Sequence, residues 1–332
     1  MKKLWIILLC TISLASCNLF EKHEDEHIHI HRYDKLQYDY IITGNISSLR
    51  TMNTTYAAIT KIHIEDILEL GSASDIDIDF AVRNYFSDTT LTRIMNEADT
   101  KFADMGELES QFAKGLKYIT TKTDIPTPRI ISQFSALGQS VAVSDSLLMF
   151  SIDKYMGTDY EPYKRFYYAE QRKYMKPERI VPDCLNFYLL SNYPTPWGYG
   201  RHLTDIIMHR GKINWLVYKA LGYKTISDAL GYDDNDKQWC KDNGEKLWDY
   251  ACQSGHMAST DPMIIRSYTM HDPSHYVFSK NVPQGIGIWL GMKLVEHYMK
   301  THRGTTIKQL MERTDYDNML CEIKINIAEA TQ

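Results

Sequence analysis

Four polar residues that can bind a metal ion or transfer a proton lie at helical spacing within residues 199–222. They are His202, Asp205, His209 and Lys212. Steps of three, four and three residues place them on one side of an α-helix. Two imidazoles and a carboxylate are a ligand set that zinc accepts. However, His202 and His209 are about 10 Å apart along a helix axis, which is too far for one ion. We therefore predict a candidate polar site without a metal, and we interpret these residues as a solvated or locally paired face.

The other side of this segment carries apolar residues at steps of three and four, as a buried helix requires. These residues are Leu203, Ile206, Ile207, Ile213, Val217, Ala220 and Leu221. The segment ends at Gly222, a residue type that favours the left-handed conformation of a helix C-cap. We therefore predict one long helix over residues 199–222, and we expect the rest of the domain to be arranged around it.

A second chemical pattern lies near the N-terminus, where the sequence HEDEH at residues 23–27 matches the H-E-x-x-H pattern of zinc peptidases. Catalysis by that pattern requires a rigid helix, a third metal ligand and a dry cleft. A position six residues after Cys17 does not provide them, because this part of the chain is a charged, histidine-rich tether. We therefore expect no catalytic residue and no cofactor here, and we lean towards a protein that is not an enzyme.

The first residues have the features of a lipoprotein signal peptide. Two lysines precede a short apolar run, and the sequence LASC at residues 14–17 matches the lipobox of bacterial lipoproteins. We predict a signal peptide over residues 1–16, palmitate and related acyl chains on Cys17, and a lipidated tether over residues 17–39. Acyl chains would attach the protein to a membrane outside the cytoplasm. The expected location is the cell envelope, at the outer membrane.

The composition describes a globular chain without the charge pattern of a nucleic-acid-binding protein. The 332 residues are 44% hydrophobic, which is enough for a substantial core. The formal net charge is −5, and Lys and Arg are scattered, so we expect no nucleic-acid partner. We predict a single globular domain over residues 40–332, with a helical part at 40–121 and a sheet with further helices at 122–332.

Three short runs rich in β-branched and apolar residues interrupt the helical periodicity. They cover residues 129–134, 140–143 and 147–152, and turn residues separate them. These runs predict a small antiparallel meander. The fold class is therefore α+β, mostly helical with a small antiparallel sheet.

Two aromatic segments are candidate contact surfaces for a partner. Residues 160–175 mix tyrosines such as Tyr163 and Tyr167 with Lys and Arg, and a loop rich in Pro and Gly contains Trp197. Tyrosine, tryptophan and arginine are common at binding surfaces. The alternative is a packed helix whose basic side chains extend to solvent, followed by a loop that covers the core.

Four cysteines follow Cys17, at Cys184, Cys240, Cys252 and Cys321. An oxidising compartment permits disulfides, and three pairings are possible. Buried free thiols are the alternative. The sequence does not choose between them.

Several motifs resemble the GldB family of gliding-motility lipoproteins of Bacteroidetes. Besides the lipobox, they are SIDKYMG at residues 151–157 with Asp159-Tyr160, Tyr174-Met175-x-Pro177-Glu178-x-Ile180, Met208-x-x-Gly211-Lys212-Ile213, Trp239-Cys240-x-x-Asn243 with Trp248, and Pro283-x-Gly285-Ile286-Gly287-x-Trp289-x-Gly291 with Tyr298-Met299. The resemblance implies a non-catalytic envelope component that supports a gliding-motility or protein-secretion apparatus. Its partners would be the membrane, through the lipid, and envelope proteins of that apparatus.

The same family is distantly similar to predicted zinc peptidases, which carry H-E-x-x-H on one helix and Glu-Gly at the start of a later one. In this chain Arg210 stands where the family usually has the glutamate before Gly211, and residues 178–190 contain no histidine. The resemblance thus implies a degenerate zinc-peptidase-like architecture, a pseudo-peptidase without the metal motif. The alternative function is a membrane-anchored zinc metallopeptidase-like hydrolase that uses His202, Asp205 and His209.

Overall fold

A computed structural model describes residues 28–195, 201–270 and 281–323. The lipobox with Cys17, the HEDEH sequence and Trp197 lie outside these ranges. Within them, no helix combines the length and the apolar character needed to span a membrane.

Short helices and a small sheet precede the long central helix, and further helices follow it. The strands are β1 Ile30–Arg32, β2 Arg129–Gln133, β3 Val141–Ser144 and β4 Leu147–Ser151. The helices between β1 and β2 are α1 Tyr33–Thr43, α2 Ile46–Thr54, α3 Ala57–Ile62, which continues as a π-helical turn over His63–Ile67, α4 Ile78–Tyr85, α5 Thr89–Lys101 and α6 Gly106–Thr123. The helices after β4 are α7 Ala169–Arg172, α8 Ile180–Asn192, α9 Leu203–Leu221, α10 Ile226–Ala229, α11 Asp234–Gln253, α12 Pro262–Thr269, α13 Ile286–Thr301, α14 Ile307–Glu312 and α15 Tyr316–Glu322.

The folded domain begins earlier than predicted, so the tether expected over residues 17–39 is wrong in its last ten residues. Strand β1 pairs in parallel with β2, with Ile30 opposite Ile130. The first turn of α1 is buried, and the carboxylate of Asp34 accepts hydrogen bonds from Arg32 and from the hydroxyl of Ser132 in β2. The charged, histidine-rich composition indicated a tether, because a sheet partner about 100 residues later is not visible in a local pattern.

The α+β class is confirmed, whereas the sheet is mixed rather than antiparallel. All three predicted strands are present, but the order is β1-β2-β4-β3. Strand β4 lies parallel to β2 and antiparallel to β3, so the chain crosses from β2 to the far edge and returns by a hairpin. The meander was wrong because β2, which is buried over residues 130–133, pairs with parallel strands on both sides, β1 and β4. Strand β3 therefore pairs with β4 and not with β2.

Helix α9 lies between two hydrophobic clusters and contributes to both. Its residues Ile213, Leu216 and Val217 belong to the cluster that contains the sheet, α6 and α8. Its residues Ile207 and Trp215 belong to the cluster formed with α11, α13 and α15. The helix begins at Leu203, later than the predicted start at residue 199, because His202 has the extended backbone of an N-cap. It ends before Gly222, which has a φ of 71° as predicted for the C-cap. The predicted central role of this helix is confirmed.

Glycines allow an unusually close contact between α9 and α13. A Cβ on Gly291 would lie 2.0 Å from the carbonyl oxygen of Ile207, and one on Gly211 would lie 2.4 Å from the carbonyl carbon of Gly291. A Cβ on Gly287 would lie 2.9 Å from side-chain atoms of Ile207 and Tyr268. No side chain fits at this crossing, so the glycines fix which residues of α9 face which neighbours.

Candidate functional site

The predicted polar face of α9 is mostly buried, so the interpretation of a solvated face is wrong for His209 and Lys212. His209 is 1% exposed, and both of its ring nitrogens have partners. Nε2 lies 3.0 Å from the carbonyl oxygen of Tyr193, which directly follows α8, and Nδ1 lies 2.7 Å from the hydroxyl of Tyr316. A carbonyl only accepts, so Nε2 carries the proton and the Tyr316 hydroxyl donates to Nδ1. Burial, with a smaller contribution from the charge of Lys212, lowers the pKa of His209 to about 4.

Lys212 is also 1% exposed, and its ammonium caps the C-terminus of α14. Nζ donates to the carbonyl oxygens of Met311 and Arg313, at 2.8 and 2.6 Å, at the C-terminus of α14. It also lies 5.1 Å from the ring centre of Tyr316. The partial negative charge of a helix C-terminus stabilises such a cation. Burial lowers the pKa of Lys212 to about 8.

The two remaining residues of this face cap the helix. The carboxylate of Asp205 accepts a hydrogen bond of 2.9 Å from the backbone nitrogen of His202, and both residues are half-buried. His209 has no free nitrogen for a metal, so these three residues do not form a zinc site. Across residues 28–195, 201–270 and 281–323, no three His, Cys, Asp or Glu side chains come close enough to hold a metal ion.

The candidate contact surface around Tyr163 and Tyr167 is wrong for Tyr163, which is fully buried. Its hydroxyl donates to the carbonyl of Asp153 and accepts from the backbone nitrogen of Met156 at 2.9 Å. Tyr167 is half-buried, and its hydroxyl bonds the carbonyl of Leu137. Both tyrosines are packed, as in the alternative, but residues 160–175 do not form the single helix that it expected. They form a 3₁₀-helix over Glu161–Arg165 and the short helix α7.

The SIDKYMG motif supplies the polar groups that hold this region together. Buried Asp153 accepts hydrogen bonds from the backbone nitrogens of Ser135 and Leu137, at 3.1 and 2.7 Å. Leu137 has a φ of 65°, so the carboxylate stabilises a turn that non-glycine residues rarely adopt. Lys154 bonds the carbonyl of Leu137 and the hydroxyl of Tyr167. These bonds give the motif a structural role.

All four cysteines in the described ranges are free thiols. Cys184 and Cys240 are buried, one in each hydrophobic cluster, and burial raises the pKa of both. Cys252 and Cys321 are exposed. The alternative of buried free thiols therefore describes Cys184 and Cys240, whereas Cys252 and Cys321 are free but exposed.

An open cleft lies beside the buried face of α9, between α8, α9 and the start of α13. It encloses about 370 Å³. Asn186 and Phe187 of α8 line one wall, Arg210 and Asn214 of α9 line another, and Gln284 precedes α13 on the third side. Arg210 and Asn214 are one helical turn apart, so both reach the same cleft.

Arg210 is a half-buried cation without an ionic partner among the described residues. Loss of hydration lowers the pKa of its guanidinium, and no carboxylate opposes that shift. The other arginine of the cleft differs, because Arg179 donates to Asp183 at 2.6 Å and to the carbonyl of Ala229 at 2.7 Å. Arg210 therefore offers an unused charge and up to five N–H donors to a ligand.

Unsatisfied polar atoms collect around the same cleft. The buried hydroxyl of Tyr174, Nε of Arg179 and Oε1 of Gln284 have no hydrogen-bond partner within the described chain. Native proteins satisfy most buried polar atoms, so unpaired ones near a cavity mark a place where water or a ligand binds.

A second pocket, called here the acidic pocket, adjoins this cleft. Tyr174 and Gln284 line both, and the acidic pocket encloses about 700 Å³. Its carboxylates are Glu170, Asp233, Asp236 and Asp242. Lys173 forms ion pairs with Asp233 and Asp236, the first at 2.8 Å. The pocket is thus strongly negative.

The cleft was not predicted from the sequence. Its amide and aromatic residues come from segments that are up to 110 positions apart, such as Tyr174 and Gln284, and no local pattern shows that they meet. One signal was available: Arg210 lies in the helix that carried the predicted polar site, one residue after His209.

A family model described as gliding motility protein GldB matches residues 20–325. The match covers nearly the whole chain, so the chain belongs to the GldB family. This family implies a lipoprotein of the cell envelope that acts with gliding-motility machinery. No curated protein and no solved structure matches the chain. The likeness to zinc peptidases stays a prediction.

Proposed function

We propose that this member of the GldB family is a non-catalytic lipoprotein that supports a gliding-motility or protein-secretion apparatus by binding its components. The family match over residues 20–325 carries the proposal. The lipobox supports attachment through Cys17 to a membrane outside the cytoplasm, and we propose the outer membrane.

The buried face of α9 supports a role without metal catalysis. A catalytic zinc needs three protein ligands and an open position for water. His209 instead uses both ring nitrogens to join α8 and α15, and Lys212 closes α14. His209 and Lys212 therefore stabilise the folded domain. The open cleft beside them is the surface that we propose binds a partner.

The lipid anchor is tested by labelling cells with tagged palmitate. We expect the wild-type protein to be labelled and to fractionate with membranes, and Cys17→Ala to lose the label. Cys10→Ala is the matched control, because Cys10 lies within the predicted signal peptide and should not affect labelling. Label that persists in Cys17→Ala contradicts the anchor.

The supporting role is tested in the native bacterium with a chromosomal deletion. We expect the deletion to impair surface spreading or protein secretion, wild type to restore it, and Cys17→Ala to restore it poorly. A deletion without effect on either process contradicts the supporting role. Stoichiometric zinc in the purified wild-type protein, with peptide hydrolysis that a chelator abolishes, would instead establish a metallohydrolase.

A further inference from the structure

The cleft and the acidic pocket adjoin each other and are together called here the groove. They share Tyr174 and Gln284, and their volumes are about 370 and 700 Å³. A groove of this size accepts several residues of an extended chain, since drug-sized ligands occupy clefts of about 300 to 1,000 Å³.

The two ends of the groove carry opposite charge. At the cleft end, Arg210 has no acidic partner in the described chain, and the only carboxylate, Asp183, is engaged by Arg179 and by the hydroxyl of Tyr155. At the other end, four carboxylates face a single lysine, Lys173. A ligand that matches both ends has an acidic group at one end and a basic group at the other.

Side-chain amides line both parts of the groove. Asn186, Asn214 and Gln284 belong to the cleft, and Asn235 and Asn243 belong to the acidic pocket. Primary amides both donate and accept hydrogen bonds, as does the peptide backbone. Phe187, which is 47% exposed, adds an apolar surface on the wall of the cleft.

We infer that this groove binds an extended peptide segment of a partner protein, with a carboxylate of the peptide on Arg210 and a basic group in the acidic pocket. A guanidinium binds a carboxylate through two parallel hydrogen bonds, which gives orientation as well as attraction. Phosphate or an acidic glycan would fit Arg210, but the acidic pocket would repel it. The inference extends the proposed partner-binding role and concerns the folded domain, so it stands or fails independently of lipidation at Cys17.

The test selects peptides on the purified full-length chain in detergent, using a library of random dodecapeptides displayed on phage. We expect enriched peptides to carry Asp, Glu or a free C-terminus together with Lys or Arg. The enriched sequences are then synthesised, and their Kd is measured by fluorescence anisotropy. Arg210→Glu should weaken binding at least tenfold, which corresponds to about 1.4 kcal/mol. Replacing the acidic residue of the peptide by Lys should restore part of the affinity for Arg210→Glu.

Matched controls separate the groove from general charge effects. Arg303→Glu changes an exposed arginine that does not line the groove and should leave Kd within twofold. Asn214→Ala keeps all charges and should weaken binding severalfold, provided that its melting temperature matches wild type. The inference is overturned if no enriched peptide depends on Arg210, or if inorganic phosphate or a sulfated glycan displaces the peptides while itself binding more tightly.

Discussion

Helix α9 carries two groups of polar side chains that meet different surroundings. His209 and Lys212 are buried against the ends of other helices, and every nitrogen of these side chains faces an acceptor, a donor or an aromatic ring. Arg210 and Asn214 lie on the neighbouring side and line an open cleft. A polar residue is available to a ligand only where the fold leaves it unpaired, and helical spacing does not reveal this. Both groups depend on the glycine crossing with α13, which fixes the rotation of α9.

The largest effect is expected from Gly291→Ala, which would disturb both groups at once. The new Cβ would lie 2.0 Å from the backbone oxygen of Ile207, and a helix backbone cannot move away without separating α9 from α13. We expect a loss of more than about 3 kcal/mol in the free energy of unfolding, at the upper end for overpacked cores. Urea denaturation measures it. Gly304→Ala is the control, because a Cβ there meets no atom within 4 Å. Equal stability of the two variants would show that the crossing is not tight.

The buried group is tested by Lys212→Met, which keeps an unbranched apolar side chain up to the position of Cε and removes the ammonium. The carbonyls of Met311 and Arg313 lose a charged donor, and such bonds contribute about 1.5 to 3 kcal/mol each. We expect a net loss of about 2 to 3 kcal/mol, since the methionine regains part of this by packing. An unchanged free energy of unfolding would mean that the ammonium is dispensable for closing α14.

Acid should also affect the buried group through His209. Its pKa is lowered from 6.5 to about 4 in the folded protein, so between these values the unfolded chain binds more protons. The free energy of unfolding therefore falls as pH decreases from 6.5 to 4. His209→Gln keeps a donor for Tyr193 and an acceptor for Tyr316 but does not titrate, so its pH dependence should be shallower.

The difference in pH dependence between the wild-type protein and His209→Gln isolates the contribution of His209. Buried His63, whose pKa is also lowered to about 4 by burial, contributes the same slope to both. Parallel stability curves from pH 7 to 4 would contradict the assigned environment of His209.

The smallest effect on stability is expected for Arg210→Ala, although it lies one residue from His209. Its guanidinium has no ionic partner in the described ranges, so its removal sacrifices no ion pair. We expect a change within about 0.5 kcal/mol, as for surface substitutions. Thermal and urea unfolding measure it. A decrease in the free energy of unfolding as large as that of Lys212→Met would show that Arg210 also stabilises the fold. The two groups of polar side chains would then not differ.

The sequence alone determined the features that depend on neighbouring residues. The helix of α9, its cap at Gly222 and the three strands near residue 140 follow from periodicity and turn residues, which act over a few positions. The family resemblance was also visible, because its motifs are short and ordered, and the family match confirms it.

Only the tertiary structure decided which polar side chains have hydrogen-bond partners within the fold. Whether His209 faces solvent or Tyr316 depends on a segment 107 residues later, and the pairing of β1 with β2 spans a similar distance. The glycines of the motifs were visible in the sequence, but their role became clear only at the crossing of α9 and α13. Long-range contacts leave no periodic signal, because the burial of a residue depends on the side chains that the whole fold places against it.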